Sequence, residues 1–411
     1  MSVNGQHLNG SGPRAAVAPA AGRYAHVVGW GMAVPDKVVT NDDLARIVDT
    51  SDEWIRTRTG IRERRVAGPK DTTASLAVQA ARRALEVANV EPDEVDLIIV
   101  ATSTPEYIMP ATACLVQDAL GATRAGAFDL SAACTGFIYA LALGAQSIRS
   151  GATDTVLVIG SETLSRIVNW RDRGTCILFG DGAGAFVLQA RETPGGVLHS
   201  ILRSDGSGGA SLIVPAGGSK NPTSFATVRD NLHTIQMDGR EVYRFATRVM
   251  AAAVREVTQR AGVALEDVRL IVPHQANRRI IDSSAKTLGL PEDRFIINVD
   301  RYGNTSAASI PIAVCEAAAQ GRLRPDDYLV LVGFGAGLTW GAVLVQWEAT
   351  APAEVSYWTR LRRQVAYGLA RVRSASLRSL RALEGLFSGS QSLDANIREP
   401  KVKAGEGQSK R

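Results

Sequence analysis

The sequence predicts an α/β protein made of two similar halves. Three observations point there: strand-like runs rich in Val, Ile and Leu, helix-like patterns between them, and a repeat at constant offset. The runs are "DLIIVAT", "DTVLVIGSE", "GAFVLQA", "RLIVPH", "YLVLVGFG" and "GAVLVQW", all between Tyr24 and Trp347. Lacking polar alternation, they read as strands of sheets covered on both faces. The repeat sets "EVDLIIV" against "DVRLIV", Val95 opposite Val268, and "DTVLVIG" against "DYLVLVG", Asp154 opposite Asp327; both offsets are 173 residues. In that register "DLSAACTG" lies near "DRYGNTSAAS", so Cys134 and Asn304 are expected at related strand-to-helix turns that can face each other.

Along the chain, residues 1–22 are rich in Gly, Ala, Ser and Pro without apolar period and read as a disordered leader. The two halves follow over 23–192 and 193–348. In the first, "GAFDLSAA" leads through Cys134 into "TGFIYALALGAQSIRSG", a buried helix pattern. In the second, "VRLIVP" ends at His274, which opens "HQANRRIIDSSAKTLG" and so stands at a strand's C-terminal end, where open α/β sheets place ligands. The loops "FGDGAG" and "GFGAGLTWG" match neither G-x-G-x-x-G nor G-x-x-x-x-G-K-[ST], and the second runs into another strand. A tight turn of that kind beside a thiol can form an oxyanion hole from free backbone N–H groups.

Residues 349–411 form a separate basic tail. Trp358, Leu361, Val365, Leu369, Val372, Leu380, Leu383 and Phe387 fall at spacings of three, four or eight, with seven arginines mostly elsewhere. This is the pattern of a basic amphipathic helix, with Gly368 a point of interruption. It suits contact over 355–387 with an anionic membrane surface or an acidic partner, or packing on the chain's own body. Residues 388–411 read as disordered.

Charge and cysteine usage narrow the class. The net charge of +5 is concentrated in the tail, where twelve Lys/Arg face five Asp/Glu, leaving the preceding 348 residues near −2. The body therefore lacks the basic footprint of a nucleic-acid-binding module. No apolar run of about 18 residues occurs, and the leader lacks the layout of a secretory signal, so a cytoplasmic protein is expected. Cys114, Cys134, Cys176 and Cys315 are far apart with no C-x-x-C pair, which suggests free thiols and neither a disulfide framework nor a zinc site.

Each candidate residue has a plain and a chemical reading. Cys134 is either a small side chain filling a crowded turn or a nucleophile whose pKa a helix start lowers. His274 is either a satisfied core histidine or a catalytic one, and Asn304 either a turn or cap residue or a donor. Composition and spacing alone leave these open.

The motifs taken together decide between them. "DTSDEWIRTRTGIRERR", "DLSAACTGF", "DRGTCILFGDGAG", "VPHQANRRII", "YGNTSAAS" and "GFGAGLTWG", in this order and spacing, resemble the thiolase-fold condensing enzymes, and within them the β-ketoacyl-acyl carrier protein synthase III family, over about residues 23–348. The resemblance implies a thiolase-like, five-layered αβαβα homodimer that starts fatty acid synthesis. An acyl-CoA primer acylates Cys134; malonyl-acyl carrier protein then loses carbon dioxide and its carbanion attacks the thioester. No metal or redox cofactor is implied.

By the same resemblance, His274 and Asn304 stabilise the charge released by decarboxylation, and the N–H groups of Cys134 and Ala336 hold the other oxyanion. Trp54 would stack on the CoA adenine, with Arg58 and Arg173 at the nucleotide end and Gly239 and Asn277 along the pantetheine tunnel. Arg279 and Lys286, with Arg244, would offer a landing face to the acidic carrier protein. Met109 and Leu338 depart from the family's usual aromatic residues at the acyl pocket, which suggests tolerance of longer or branched primers. Two alternatives remain: acyl transfer or condensation in secondary metabolism or between long chains, and a non-catalytic acyl-binding scaffold.

Overall fold

The Val- and Ile-rich runs assemble into two sheets that sandwich a helical layer. The structure, a computed structural model, describes residues 22–348 and 357–387. In the first half, strands β1 (Tyr24–Ala33), β2 (Leu97–Ala101), β3 (Gly126–Leu130), β4 (Thr155–Glu162) and β5 (Gly182–Arg191) form a sheet in the order β1-β5-β4-β2-β3. In the second, β6 (Gly196–Ser204), β7 (Val268–Pro273), β8 (Tyr328–Gly335) and β9 (Thr339–Gln346) form a sheet in the order β7-β8-β9-β6. Read from β6, that order repeats the first sheet strand for strand. The place of β3 is taken only by an isolated parallel bridge between Ile271 and Phe295.

Helices complete five layers. Helix α1 (Asp52–Thr59) lies outside the sheets; α2 (Thr73–Ala88) and α3 (Thr112–Leu120) cover the outer face of the first sheet. Between the sheets run α4 (Gly136–Arg149) and α7 (Ser309–Ala319), and α5 (Gly239–Ala261) with α6 (Arg278–Leu288) covers the outer face of the second. The central layer is the driest: Phe137 packs edge-on against Phe186 at 5.0 Å, with Trp347 beside it. Burial of such rings supplies much of the stabilisation of a core.

The tail forms one helix, α8 (Tyr357–Phe387), which runs through Gly368 without the interruption that the glycine suggested. Its neighbours are α3 and the start of the segment after α2. Cys114 is exposed on α3, whereas Cys134, Cys176 and Cys315 are buried, and all four thiols are free. The leader over 1–21 and the terminal segment 388–411 lie outside the described residues. Among the described residues no helix is long and apolar enough to cross a membrane.

Candidate active site

Two equivalent turns meet at the centre of the molecule. After β3, a 3-10 turn over Ala133–Thr135 delivers Cys134 and runs into α4; exactly 173 residues on, a 3-10 turn over Ser306–Ala308 runs into α7. Both turns begin with a non-glycine residue in the left-handed region, Ala133 and Ser306, each with φ of 48°. Such strained entries cluster at functional sites. Asn304 sits just before the second turn and is fixed across the junction of the halves by a parallel bridge to Phe179: its N–H donates to Leu178 O (2.8 Å) and its O accepts from Gly180 (2.9 Å).

Cys134 is 6% exposed and stands between two cavities. One, of about 90 Å³, is lined by Cys134, His274, Asn304, Gly239, Asn277 and Tyr243. The other, of about 200 Å³, holds Cys134, Ala336 and an apolar wall that includes Leu164, Ile167, Phe179 and Ile235. Two wider surface clefts, of about 750 and 580 Å³, are lined by charged residues such as Arg23 and Asp154 or Arg62 and Arg278 and contain none of the candidate catalytic residues.

Close packing holds the thiol's backbone in place. A Cβ on Gly335 would stand 2.8 Å from Cys134 N and 3.1 Å from Thr135 N, so only glycine lets the end of β8 approach this turn. Thr135 and Thr339 tie the same turn to β9 through their hydroxyls, 2.9 Å apart. Ala336, the residue after Gly335, thereby comes to the cavity beside Cys134.

The titration states are set by burial. Burial pushes the Cys134 thiol up to about 12, opposed by a hydrogen bond from Ser306 and reinforced by the nearby Glu162 carboxyl. The lowering expected from a helix start is thus outweighed: desolvation of a nearly enclosed thiolate dominates. Burial likewise holds the His274 imidazole down at about 3, so the ring is neutral at physiological pH. Its Nδ1 lies 2.7 Å from Ser309 Oγ, and Phe334 packs edge-on at 5.2 Å. A Ser309 hydroxyl that donates to Nδ1 would leave the ring proton on Nε2. The Asn304 Oδ1 accepts from Ser306 N at 2.9 Å, leaving Nδ2 to donate into the cavity.

Several residues escaped the sequence reading. Glu162, fully buried, accepts from Thr104 Oγ1 (2.7 Å), Ser103 N (3.0 Å) and Thr102 Oγ1 (3.3 Å), and burial raises its pKa. The Ser306 side chain lowers the pKa of both Glu162 and Cys134, against the dominant effect of burial. An acidic residue closing the all-apolar run "DTVLVIGSE" was the available signal. Among the described residues no group of three or more His, Cys, Asp or Glu could hold a metal ion.

The outer residues also gather. The guanidinium groups of Arg58 (4.5 Å) and Arg173 (5.1 Å) both lie over the Trp54 ring on α1, and Arg173 donates to Asp49 O at 2.8 Å. Asn277 caps α6 through Oδ1 and donates from Nδ2 to Arg58 O at 3.0 Å, joining that cluster to the cavity. Arg244, Arg279 and Lys286 are exposed on α5 and α6, and Arg279 lies over Tyr243, a residue of the cavity wall. Arg240 and Arg248 extend the row on α5 at four-residue intervals, a spacing visible in the sequence and overlooked there. Met109 is 81% exposed in the loop before α3. Leu338 is placed otherwise than expected: it lines neither cavity but packs in the core beneath the Gly206–Ser211 turn, against Gly208.

Comparisons with known proteins agree with this geometry. Family models described as 3-oxoacyl-[acyl-carrier-protein] synthase III and its C-terminal part match residues 128–206 and 258–347. A β-ketoacyl-[acyl-carrier-protein] synthase III of Symbiobacterium thermophilum is 56% identical over 321 residues, covering 78% of this chain and 97% of that relative. One from Desulfitobacterium hafniense is 55% identical over 322 residues, with the same two shares. The crystal structure of the synthase III from Aquifex aeolicus VF5 superposes with a TM-score of 0.73 at 48% identity, covering 79% of this chain and all of that one. With its paired turns, buried Cys, His and Asn and these relatives, the chain belongs to the β-ketoacyl-acyl carrier protein synthase III family of thiolase-fold condensing enzymes.

Proposed function

We propose that this chain catalyses the decarboxylating Claisen condensation of an acyl-CoA primer with malonyl-acyl carrier protein, giving 3-oxoacyl-acyl carrier protein, CoA and carbon dioxide and so initiating fatty acid biosynthesis. The observation that carries it is the placement of Cys134 between an apolar cavity and one lined by His274 and Asn304. In the first half-reaction Cys134 Sγ attacks the acyl-CoA carbonyl as the thiol gives up its proton. The N–H groups of Cys134 and Ala336 meet the oxyanion, and CoA leaves as its thiol. A thiol that burial keeps protonated at rest is then ionised only as the carbon–sulfur bond forms.

In the second, the malonyl carbon–carboxylate bond breaks, carbon dioxide departs and the electron pair becomes an enolate. A neutral imidazole donating from Nε2 and the Asn304 Nδ2 stabilise the charge on the thioester oxygen. The enolate carbon attacks the acyl-Cys134 carbonyl, and the thiolate leaves and takes up a proton. All of this is polar chemistry with no change of oxidation state that would call for a redox cofactor, and carbon dioxide loss supplies the carbanion without a metal.

The other roles follow from position. Trp54, Arg58 and Arg173 hold the nucleotide of CoA, while Gly239 and Asn277 line the path of pantetheine. Arg244, Arg279 and Lys286, joined by Arg240 and Arg248, receive the acidic carrier protein. A homodimer is supported by β3, an edge strand of the first sheet carrying a 40% exposed Phe128, and by the exposed Ile108 and Met109 nearby. Met109 would then reach the acyl pocket of a second copy. Work of this kind belongs in the cytoplasm.

Intact-protein mass spectrometry with a panel of acyl-CoAs tests the reading, wild type against Cys134→Ser, followed by malonyl-acyl carrier protein. A Cys134-dependent adduct discharged into a 3-oxoacyl product is expected and identifies the primer. An adduct that persists, or that only another acceptor discharges, replaces the reading with acyl transfer; no adduct would leave a scaffold.

A further inference from the structure

Helix α8 grips the body with one face and turns its apolar face away from it. Arg363, 4% exposed, donates to Glu91 Oε1 (3.1 Å) and Asn89 Oδ1 (2.9 Å). Tyr367 lies under the Arg82 guanidinium at 4.2 Å, Ala370 meets Gly121, and Ser374 donates to Asp118 Oδ2 at 2.7 Å, with Arg378 3.7 Å from the same carboxylate. These positions recur every three or four residues and mark a single face. Leu361, Val365, Leu369, Val372 and Leu380 lie about 170° around the helix from them at 100° per residue. They are 37%, 54%, 63%, 63% and 53% exposed, an outward apolar ridge.

What covers the ridge is decided by charge and shape. Tyr357–Phe387 holds seven arginines and one acidic residue, Glu384. Exposed Arg362 and Arg373 both stand along one edge of the ridge. Two copies of α8 joined along it would set like charges beside each other, with a single acidic residue per helix to seven arginines, against the pairing rule of helix zippers. A ridge that runs about 30 Å from Leu361 to Leu380 and is edged by arginine instead fits a flat anionic surface. The family's C-terminal model ends at residue 347, before α8 begins, so the helix is an addition to the catalytic body.

We propose that α8 docks this enzyme on the surface of an anionic bilayer. It lies in the membrane plane, its ridge in the headgroup boundary and the exposed Arg362 and Arg373 on lipid phosphates. The proposal stands apart from the reaction assigned above, since among the described residues none of α8 lines either cavity.

Co-sedimentation of the full chain with phosphatidylglycerol–phosphatidylcholine vesicles, and with pure phosphatidylcholine vesicles, tests it. Wild type is expected to pellet with the anionic vesicles and to be released by salt. Leu369→Glu/Val372→Glu should stay in the supernatant, and Arg362→Gln/Arg373→Gln should bind about thirtyfold more weakly. Both variants should keep wild-type condensation rates with soluble substrates, which shows the body intact and separates loss of docking from loss of catalysis. The proposal is overturned if wild type ignores anionic vesicles, binds neutral ones equally, or pellets no better than the ridge variant. It is also overturned if light scattering shows a larger wild-type assembly that the ridge change dissolves, or if acidic carrier protein binds the ridge in place of lipid.

Discussion

His274 has a proton inventory that can be read from the stability of the protein. Above about pH 6.5 the imidazole is neutral in both folded and unfolded chains. Below it the unfolded ring takes up a proton that the buried ring refuses until about pH 3, so the stability this group contributes is lost as pH falls through that window. The wild-type denaturation midpoint should therefore drop more steeply between about pH 6.5 and 4 than that of His274→Asn, by about tenfold in the folding equilibrium per pH unit. Parallel curves would contradict a neutral, desolvated ring. The same burial protects Cys134 from premature ionisation. These side chains were legible because their neighbours in sequence form motifs. Glu162 and Ser306 were not, since their meeting with Cys134 depends on an approach between segments far apart in the chain.

The strand–turn–helix units explain why the site is precise. Each unit enters its helix through one left-handed residue, and the end of β8 reaches Cys134 only because position 335 lacks a Cβ. Gly335→Ala should move the Cys134 N–H out of the oxyanion position and slow acyl-enzyme formation about 100-fold. Stopped-flow acylation monitored by mass spectrometry, beside an unchanged circular dichroism spectrum, would show it; a rate near wild type would mean the turn can relax. Patterns of apolar residues revealed which runs are strands, and also the apolar stripe of α8. They did not reveal which face of α8 meets the body, because Arg363, Tyr367 and Ser374 make that contact through polar groups that a hydrophobic period does not count.

Across the whole molecule, a repeat at one offset foretold two sheets of matching order, and the departure from symmetry was hidden. Where the first half has β3, the equivalent stretch of the second is a short helix over Val299–Tyr302, since that segment serves to bring Asn304 across to Phe179. The tail is attached at the outside of this assembly. Removal of residues 349–411 should leave the rate of condensation with soluble substrates within about twofold, because the two cavities and both turns belong wholly to the body. Steady-state assays of the shortened chain would check this, and a large loss of kcat would tie α8 to the chemistry.

The offset of 173 residues places Ala307 where its twin carries Cys134. Two like subunits, each with a thiol at this turn, would compete for the space that one acyl chain occupies. Joined in a single polypeptide, the copies differ, and on the function proposed above one would hold the electrophile while the other draws electrons from its partner substrate. On that function, the asymmetry would give the acyl group a single seat, at Cys134, with the cavity of His274 and Asn304 to one side of it.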